Sequence, residues 1–470
     1  MRLTKIVCTI GPASSSPENI LKMLQSGMNV ARINFSHGDG ETHAPTIRAV
    51  KKIAEENGYD IPVMLDTKGP EIRTGDVKEP IAVKKGEDVL FTFDKDATYD
   101  GTIIHVNYPD FGKDVEQAEA IIVDNGDMSF EFVKKNKDGS VILKANQDGV
   151  IGNRRHVNLP GANVSLPSIT EKDWKDLEFG VAENMDLVAL SFVRSAADVE
   201  EVRAFLKKKG SGMKIMSKIE NRQSVQNIGE IIDASDAIMV ARGDLGAEMP
   251  FQKIPAVQDM IVRMCRAVGK PVIVATQMLE SMIKNPMPTR AEVTDVAHAA
   301  LTGTDMTMLS GETAAGKYPL DSVAAMSSIL QETESRMTGG QACGDCDCGH
   351  AHEDSAVRAE AAVTMAHSAA AKAIVILCNT GRTAELMSVY RPGMPVYAFS
   401  DSPALRRQLQ MRYGVTPVAI TMESDGELNI ERAMSIMEKK RYGEKGDRVV
   451  VVARTQVRSG PLVTVHLRKI

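Results

Sequence analysis

The stretch from Lys214 to Gly246, KIMSKIENRQSVQNIGEIIDASDAIMVARGDLG, holds two short apolar runs, KIMSKI and AIMVA, separated by a segment of helical period. Each run ends in charged residues. Runs this short and this apolar fit parallel strands buried on both faces, and the segment between them then reads as a right-handed crossover helix. The unit recurs along the chain. Lys5 to Ile10, Val30 to Phe35, Pro62 to Thr67, Leu187 to Phe192, Pro271 to Thr276 and Met306 to Leu309 read the same way, giving eight strands. Eight βα units are the number that closes a (β/α)8 TIM barrel, which carries its chemistry at the C-terminal ends of its strands. Those ends are polar: Arg32, Asn34 and Ser36, then Asp66 and Thr67, Ser191, Lys218 and Glu220, Arg242 and Asp244, Thr276, and Ser310 and Glu312. A doubly wound open sheet would gather its polar groups at one switch point instead.

Working outward, the even spacing breaks between the third and fourth strands, where more than a hundred residues intervene. There the pattern becomes short alternating runs with turn residues at Lys84-Lys85-Gly86, Asp138-Gly139 and Asp148-Gly149. These are hairpin signals, and they predict a small inserted β-barrel domain over 70–166, hinged on the barrel mouth at Gly69-Pro70 and Leu159-Pro160-Gly161. The barrel is then 1–69 plus 167–337, ending in a helix over Asp321 to Met337. A linker at 338–355, TGGQACGDCDCGHAHEDS, precedes a C-terminal unit at 356–470, whose alternating helices and strands predict a three-layer α/β/α domain. The linker packs Cys343, Cys346, Cys348, His350 and His352 into ten residues, enough ligands for Zn²⁺ or Cu⁺, or else a flexible loop that traps metal adventitiously.

The 470 residues suit about three domains. With 56 Lys and Arg against 62 Asp and Glu the net charge is −6, which argues against a nucleic-acid or membrane-surface footprint spread over the whole protein. No stretch approaches the roughly 20 apolar residues of a membrane helix. The N-terminal MRLTKIVCTIGP is not a secretory leader, and six Cys without a pairing framework suit the reducing cytoplasm.

Lys218 and Glu220 stand at i and i+2, so both point into the barrel mouth. A structural ion pair is one reading. The next strand adds Asp244, flanked by Gly243 and Gly246, and two hard carboxylates from adjacent strands suit Mg²⁺ or Mn²⁺. Arg32, Asn34 and Ser36 alternate on one face, followed by His37. Arg suits bidentate phosphate binding, and the neutral oxygens suit a weakly charged ion. His37 reads as either a general acid or base or a structural hydrogen-bonding group.

The stretches NVARINFSHGD (29–39), LDTKGPEIRTG (65–75), VNLPG (157–161), SKIEN (217–221), VARGDLGAEMP (240–250), ATQMLESMIKNPMPTRAEVTDVAHA (275–299) and MLSGETAAGKYP (308–319) closely resemble the pyruvate kinase family. The resemblance implies a barrel, a lid-like insert, a C-terminal effector domain and a homotetramer. It also implies a reaction, phosphoryl transfer from phosphoenolpyruvate to ADP at the end of glycolysis, dependent on Mg²⁺ (or Mn²⁺) and K⁺. By position, Lys218 matches the lysine that stabilises the moving phosphoryl group, and Glu220 and Asp244 match the divalent-metal ligands. Asn34, Ser36, Asp66 and Thr67 match the K⁺ ligands. Arg32 matches a phosphate-holding arginine, while Asn34, Phe35, Ser36, His37, Arg73 and Arg155 fall on the nucleotide side. Gly243, Asp244 and Thr276 match the substrate-carboxylate pocket, with a proton path expected at Thr276 and onward to Ser310 and Glu312. Glu71 matches the acidic residue of potassium-dependent members. The chain departs from the family at His156, where a glycine is usual, and at Cys378, where effector loops often begin with Thr. The loop Asn379, Thr380, Gly381, Arg382 and Thr383, with Arg454 and Arg458 between the last strands, matches a sugar-phosphate or nucleotide effector site; a solvated turn is the other reading of the two arginines. A metal-dependent enolate aldolase and a catalytically silent sugar-phosphate sensor are the alternatives on the same barrel.

Overall fold

The computed structural model describes residues 2–162, 164–337, 353–457 and 460–470. Eight parallel strands close into a barrel: Lys5–Thr9, Val30–Asn34, Val63–Asp66, Leu187–Leu190, Lys214–Ile219, Ala237–Ala241, Val272–Ala275 and Met306–Leu309. The first pairs with both the second and the eighth, so no edge is left open. Helices form where caps and apolar faces coincide. Pro17–Ser26 starts on Ser16, whose side chain accepts from the Asn19 amide, and it buries Ile20, Met23 and Leu24. Ala196–Lys208 begins on a Ser195/Asp198 capping box and Glu171–Ala182 on a Thr170/Asp173 box.

Two apolar layers hold the barrel. One lies between strands and helices; the other fills the interior with Val7, Val30, Met64, Met216, Met239, Ile273, Met306 and Met308, all nearly inaccessible. Six of the chain's 26 methionines lie there, where an unbranched thioether fills irregular gaps between strands. Met411, from the C-terminal unit, belongs to the same interior cluster and seals the floor of the barrel.

The insert forms a six-stranded sheet and a two-stranded sheet that share one core, with Val83 and Ile151 of the small sheet packed among Val89, Phe91, Phe130 and Leu143 of the large one. The small β domain expected here is thus built as two sheets around a common core. The Asp138-Gly139 turn does join a hairpin, Met128–Lys135 with Val141–Ala145. The turn at Lys84-Lys85-Gly86 instead joins strands that do not pair: Ile81–Val83 pairs with Gly149–Ile151, and Asp88–Thr92 with Val141–Ala145 and Ile103–His105.

The C-terminal unit is a five-stranded sheet with separate apolar cores on its two faces, hence three layers. Its last two strands run Arg448–Val457 and Gly460–Lys469, so Arg454 lies within a strand opposite Val463 rather than in the connecting loop. Lys5 Nζ donates to the Val415 carbonyl at 2.6 Å, and Arg406, Arg407 and Arg391 pair with Asp60, Asp186 and Asp305 at 2.7, 2.7 and 3.0 Å. These contacts bind the C-terminal unit to the underside of the barrel. Among the described residues no helix is long and apolar enough to cross a membrane.

Candidate active site

At the open end of the barrel, the polar strand ends converge. Asn34 and Asp66 are register partners on the second and third strands, and Asp66 on the third is a neighbour of the fourth. The fully buried Asp66 accepts from Arg32 Nε at 2.6 Å and from Lys218 Nζ at 3.1 Å. Burial pushes its carboxyl up, but the charges of Arg32 and Lys218 prevail and hold it below the usual carboxylate range. Arg32 also donates to Thr9 Oγ1 at 2.8 Å, which fixes the guanidinium on the barrel side.

Lys218 sits at the centre. Its Nζ meets Ser191 Oγ at 2.8 Å and Glu220 Oε1 at 2.8 Å besides Asp66. Burial lowers its affinity for a proton, and the surrounding carboxylates Asp66 and Glu220 more than reverse this, so it stays an ammonium. Glu220 Oε2 accepts the Phe192 amide at 2.6 Å. Burial lifts the Glu220 carboxyl to about 7, against Lys218 and with the added repulsion of Asp244. A buried carboxylate pushed up by a second carboxylate is a site that favours a cation. Among the described residues no group of three or more His, Cys, Asp or Glu is placed to hold a metal; two carboxylates such as Glu220 and Asp244 are a donor set that Mg²⁺, which keeps several waters, accepts.

Asp244 lies in the first turn of Arg242–Glu248, and the Gly243 amide donates to Thr276 Oγ1 at 2.8 Å. The Thr276 hydroxyl donates in turn to the Ala275 carbonyl at 2.6 Å. Thr276 and Gln277 adopt left-handed backbone conformations with φ of 65° and 54°, and Phe192 does so at 55°. Each costs of order 1 kcal/mol or more, and the surroundings enforce it. Arg242 points away from the mouth and clamps the Thr276 carbonyl at 2.7 Å and Asp295 at 2.7 Å, which pins the strained loop.

Other expected site residues fall less simply. Thr67 is buried and bonded to Ala189 and Ser191, and Asn34 Oδ1 accepts the Ser36 amide. His37 is exposed at the rim, and the Phe35 ring is buried against His43 and Phe179. Arg73 is paired in two-pronged fashion with Glu71, at 2.7 and 2.9 Å, and Arg155 turns to Asp124. Glu312 gives both oxygens to the Leu279 and Ser310 amides, so it shapes the loop rather than extending a proton path. In the C-terminal unit Asn379 and Thr380 are exposed, Gly381 caps Arg382–Val389 at φ 83°, Thr383 is half-buried, and Arg382 pairs with Glu353 at 2.9 Å. Arg458 and the cluster Cys343, Cys346, Cys348, His350 and His352 lie outside the described residues. Ser191, Thr9 and the Phe192 amide were not singled out as site residues. Ser191 alone had a signal, as the polar end of an apolar run.

Residues 1–323 match a family model described as "Pyruvate kinase, barrel domain" and residues 357–466 one described as "Pyruvate kinase, alpha/beta domain". Pyruvate kinase 1 of Trypanosoma brucei brucei is 44% identical over 468 residues, covering 96% of this chain and 92% of its own. The pyruvate kinase of Clostridium acetobutylicum is 40% identical over 455 residues, with 96% of each chain covered. A crystal structure of a pyruvate kinase from Cryptosporidium parvum superimposes with a TM-score of 0.91 at 36% identity, covering 99% of this chain and 96% of that one.

Proposed function

The chain belongs to the pyruvate kinase family and is an enzyme of that class, and on that premise we propose that it transfers the phosphoryl group of phosphoenolpyruvate to ADP with Mg²⁺ (or Mn²⁺) and K⁺ bound. The observation that supports this most is the convergence of Arg32, Asp66, Lys218 and Glu220 within hydrogen-bond distance at the barrel mouth. Phosphoryl transfer asks for positioning and charge compensation more than for covalent help from the protein. Arg32 and the Lys218 ammonium hold the phosphoryl oxygens. The Gly243 amide and the Thr276 hydroxyl turn to the substrate carboxylate. An ADP oxygen attacks phosphorus, the bond to the enol oxygen breaks, and the enolate is then protonated at carbon, with Thr276 or a water beside it as the relay. Glu220 and Asp244 are the residues that would hold the divalent cation, and Asn34, Ser36, Asp66 and Thr67 the K⁺; bound there, the cations supply charge neutralisation at the phosphoryl and enolate oxygens.

Arg73 and Arg155, with Asn34, Phe35, Ser36 and His37, form the nucleotide side, and the insert over 70–166 acts as a lid that excludes water. The barrel is 1–69 plus 167–337 and the effector domain 356–470, with an allosteric phosphate site at 379–383 and Arg454. A homotetramer is supported by exposed Leu462 and Leu467 on the long edge strand Gly460–Lys469. The reaction stands at the end of glycolysis, in the cytoplasm. A coupled assay for pyruvate from phosphoenolpyruvate and ADP tests the reading, with turnover expected in K⁺ and much reduced in Na⁺. Equal turnover in the two salts removes the K⁺ site and the role given to Glu71.

A further inference from the structure

Behind the catalytic cleft, where the insert meets the loops after the fourth, fifth and sixth barrel strands, lies a cavity of about 280 Å³. It contains neither Lys218, Asp244 nor Glu220. Two of its lining residues, His156 and Phe192, pack edge-on against each other, with ring centroids 5.8 Å apart. The insert contributes an apolar wall from Ile72, Val157, Leu159, Val164 and Leu166.

The polar lining is unevenly satisfied. Arg194 is spent on the Val164 and Leu166 carbonyls and Ser168 Oγ, at 2.6, 2.6 and 2.7 Å, and Arg222 on both oxygens of Glu119, at 2.6 and 3.0 Å. The acceptors are left over. Among the described residues Asn158 Oδ1 is buried without a hydrogen-bond partner and Glu248 accepts one hydrogen bond, from Asn158 Nδ2 at 2.9 Å. A buried acceptor without a donor is costly, and a ligand that brings donors relieves it. We propose that this cavity binds a small amphipathic ammonium compound, with its apolar body against the insert and its ammonium on Asn158 Oδ1 and Glu248. A benzene fits a cavity of about 150 Å³, so a single ring with a short amino arm is the matching size. Burial raises the Glu248 carboxyl, and an ammonium beside it works in the opposite direction by favouring the charged form. The ligand touches insert and barrel at once, and Phe192 joins its site to Glu220 through the hydrogen bond that its backbone N–H donates to Glu220 Oε2.

The probe is 2-phenylethylamine, with 2-phenylethanol and 3-phenylpropionate as neutral and anionic counterparts, titrated into the whole protein and followed by calorimetry. Binding of the amine at about millimolar concentration is expected, with the carboxylate weaker by about tenfold. Ala162→Phe, which fills the cavity, should abolish binding, and Glu248→Gln should remove the preference for the amine while the alcohol binds as before. No binding of the amine, equal binding of amine and carboxylate, or undiminished binding to the Ala162→Phe variant overturns the proposal. Turnover of phosphoenolpyruvate is measured separately, so absent amine binding with turnover intact refutes this site and leaves the catalytic reading standing.

Discussion

Lys218 is gripped by three oxygens, from Asp66, Ser191 and Glu220, so its ammonium is aimed before any substrate arrives. Preorganisation of this kind is where much electrostatic catalysis resides. Lys218→Met should lower kcat by about 10³-fold in the coupled assay, in line with loss of a preorganised charge at the reacting group. Retention of activity within about tenfold would mean that the lysine is structural only. The alternation of Lys218 and Glu220 made this pair legible from a single strand. The contacts of Arg32 with Thr9 and of Lys218 with Ser191 are not legible, because each joins two neighbouring strands whose register the sequence does not encode. Glu71 and Arg73 stand two residues apart and were read separately, one for K⁺ and one for phosphate, yet the structure pairs them with each other. A substrate phosphate that engages Arg73 therefore competes with Glu71.

Among the elements, the insert is tied to the barrel by polar bridges: Arg222 to Glu119, and Asn158 to Glu248. The Arg222 bridge is exposed at its Glu119 end, so it contributes little to stability, but it biases where the insert rests. Arg222→Ala should raise KM for ADP severalfold and increase release of inorganic phosphate from phosphoenolpyruvate, while thermal stability stays unchanged. An unaltered KM would show that the bridge does not govern the lid. Turn residues located the insert and its hairpin at Asp138-Gly139, but they do not encode partners. The strands flanking Gly86 find theirs across the insert, with Ile81–Val83 pairing far along the chain with Gly149–Ile151. Arg454 was misplaced for a related reason: a strand of ten residues, Arg448–Val457, continues beyond its most apolar part because its antiparallel partner continues too.

At the scale of the whole molecule, the barrel and the C-terminal unit share a floor. Met411→Ala should cost about 2–4 kcal/mol, the usual loss for truncating a buried methionine, seen as a lower denaturant midpoint for both units together. Separate transitions with an unshifted barrel would contradict a shared core. Lys5 in the same floor is fully buried, and burial drives its ammonium from the ordinary 10.5 down to about 7. Below pH 7 both folded and unfolded chains hold the proton. Between pH 7 and 10.5 only the unfolded chain does, so this group makes stability rise with pH, by at most about 1.4 kcal/mol per unit. Lys5→Met should therefore stabilise the protein most near neutrality and progressively less toward pH 10, as measured by urea unfolding across that range; a pH-independent difference would place the Lys5 ammonium in contact with solvent. The methionine-lined interior has one more consequence. Met64, Met216, Met239, Met306, Met308 and Met411 are all at most 5% exposed, so an oxidant reaches their sulfurs only when the barrel opens. A sulfoxide formed at that moment is polar and cannot repack among the strands. An opening in which peroxide reaches one of these sulfurs therefore leaves a chemical mark that hinders reclosing, so oxidation at these six positions reports how often the barrel opens.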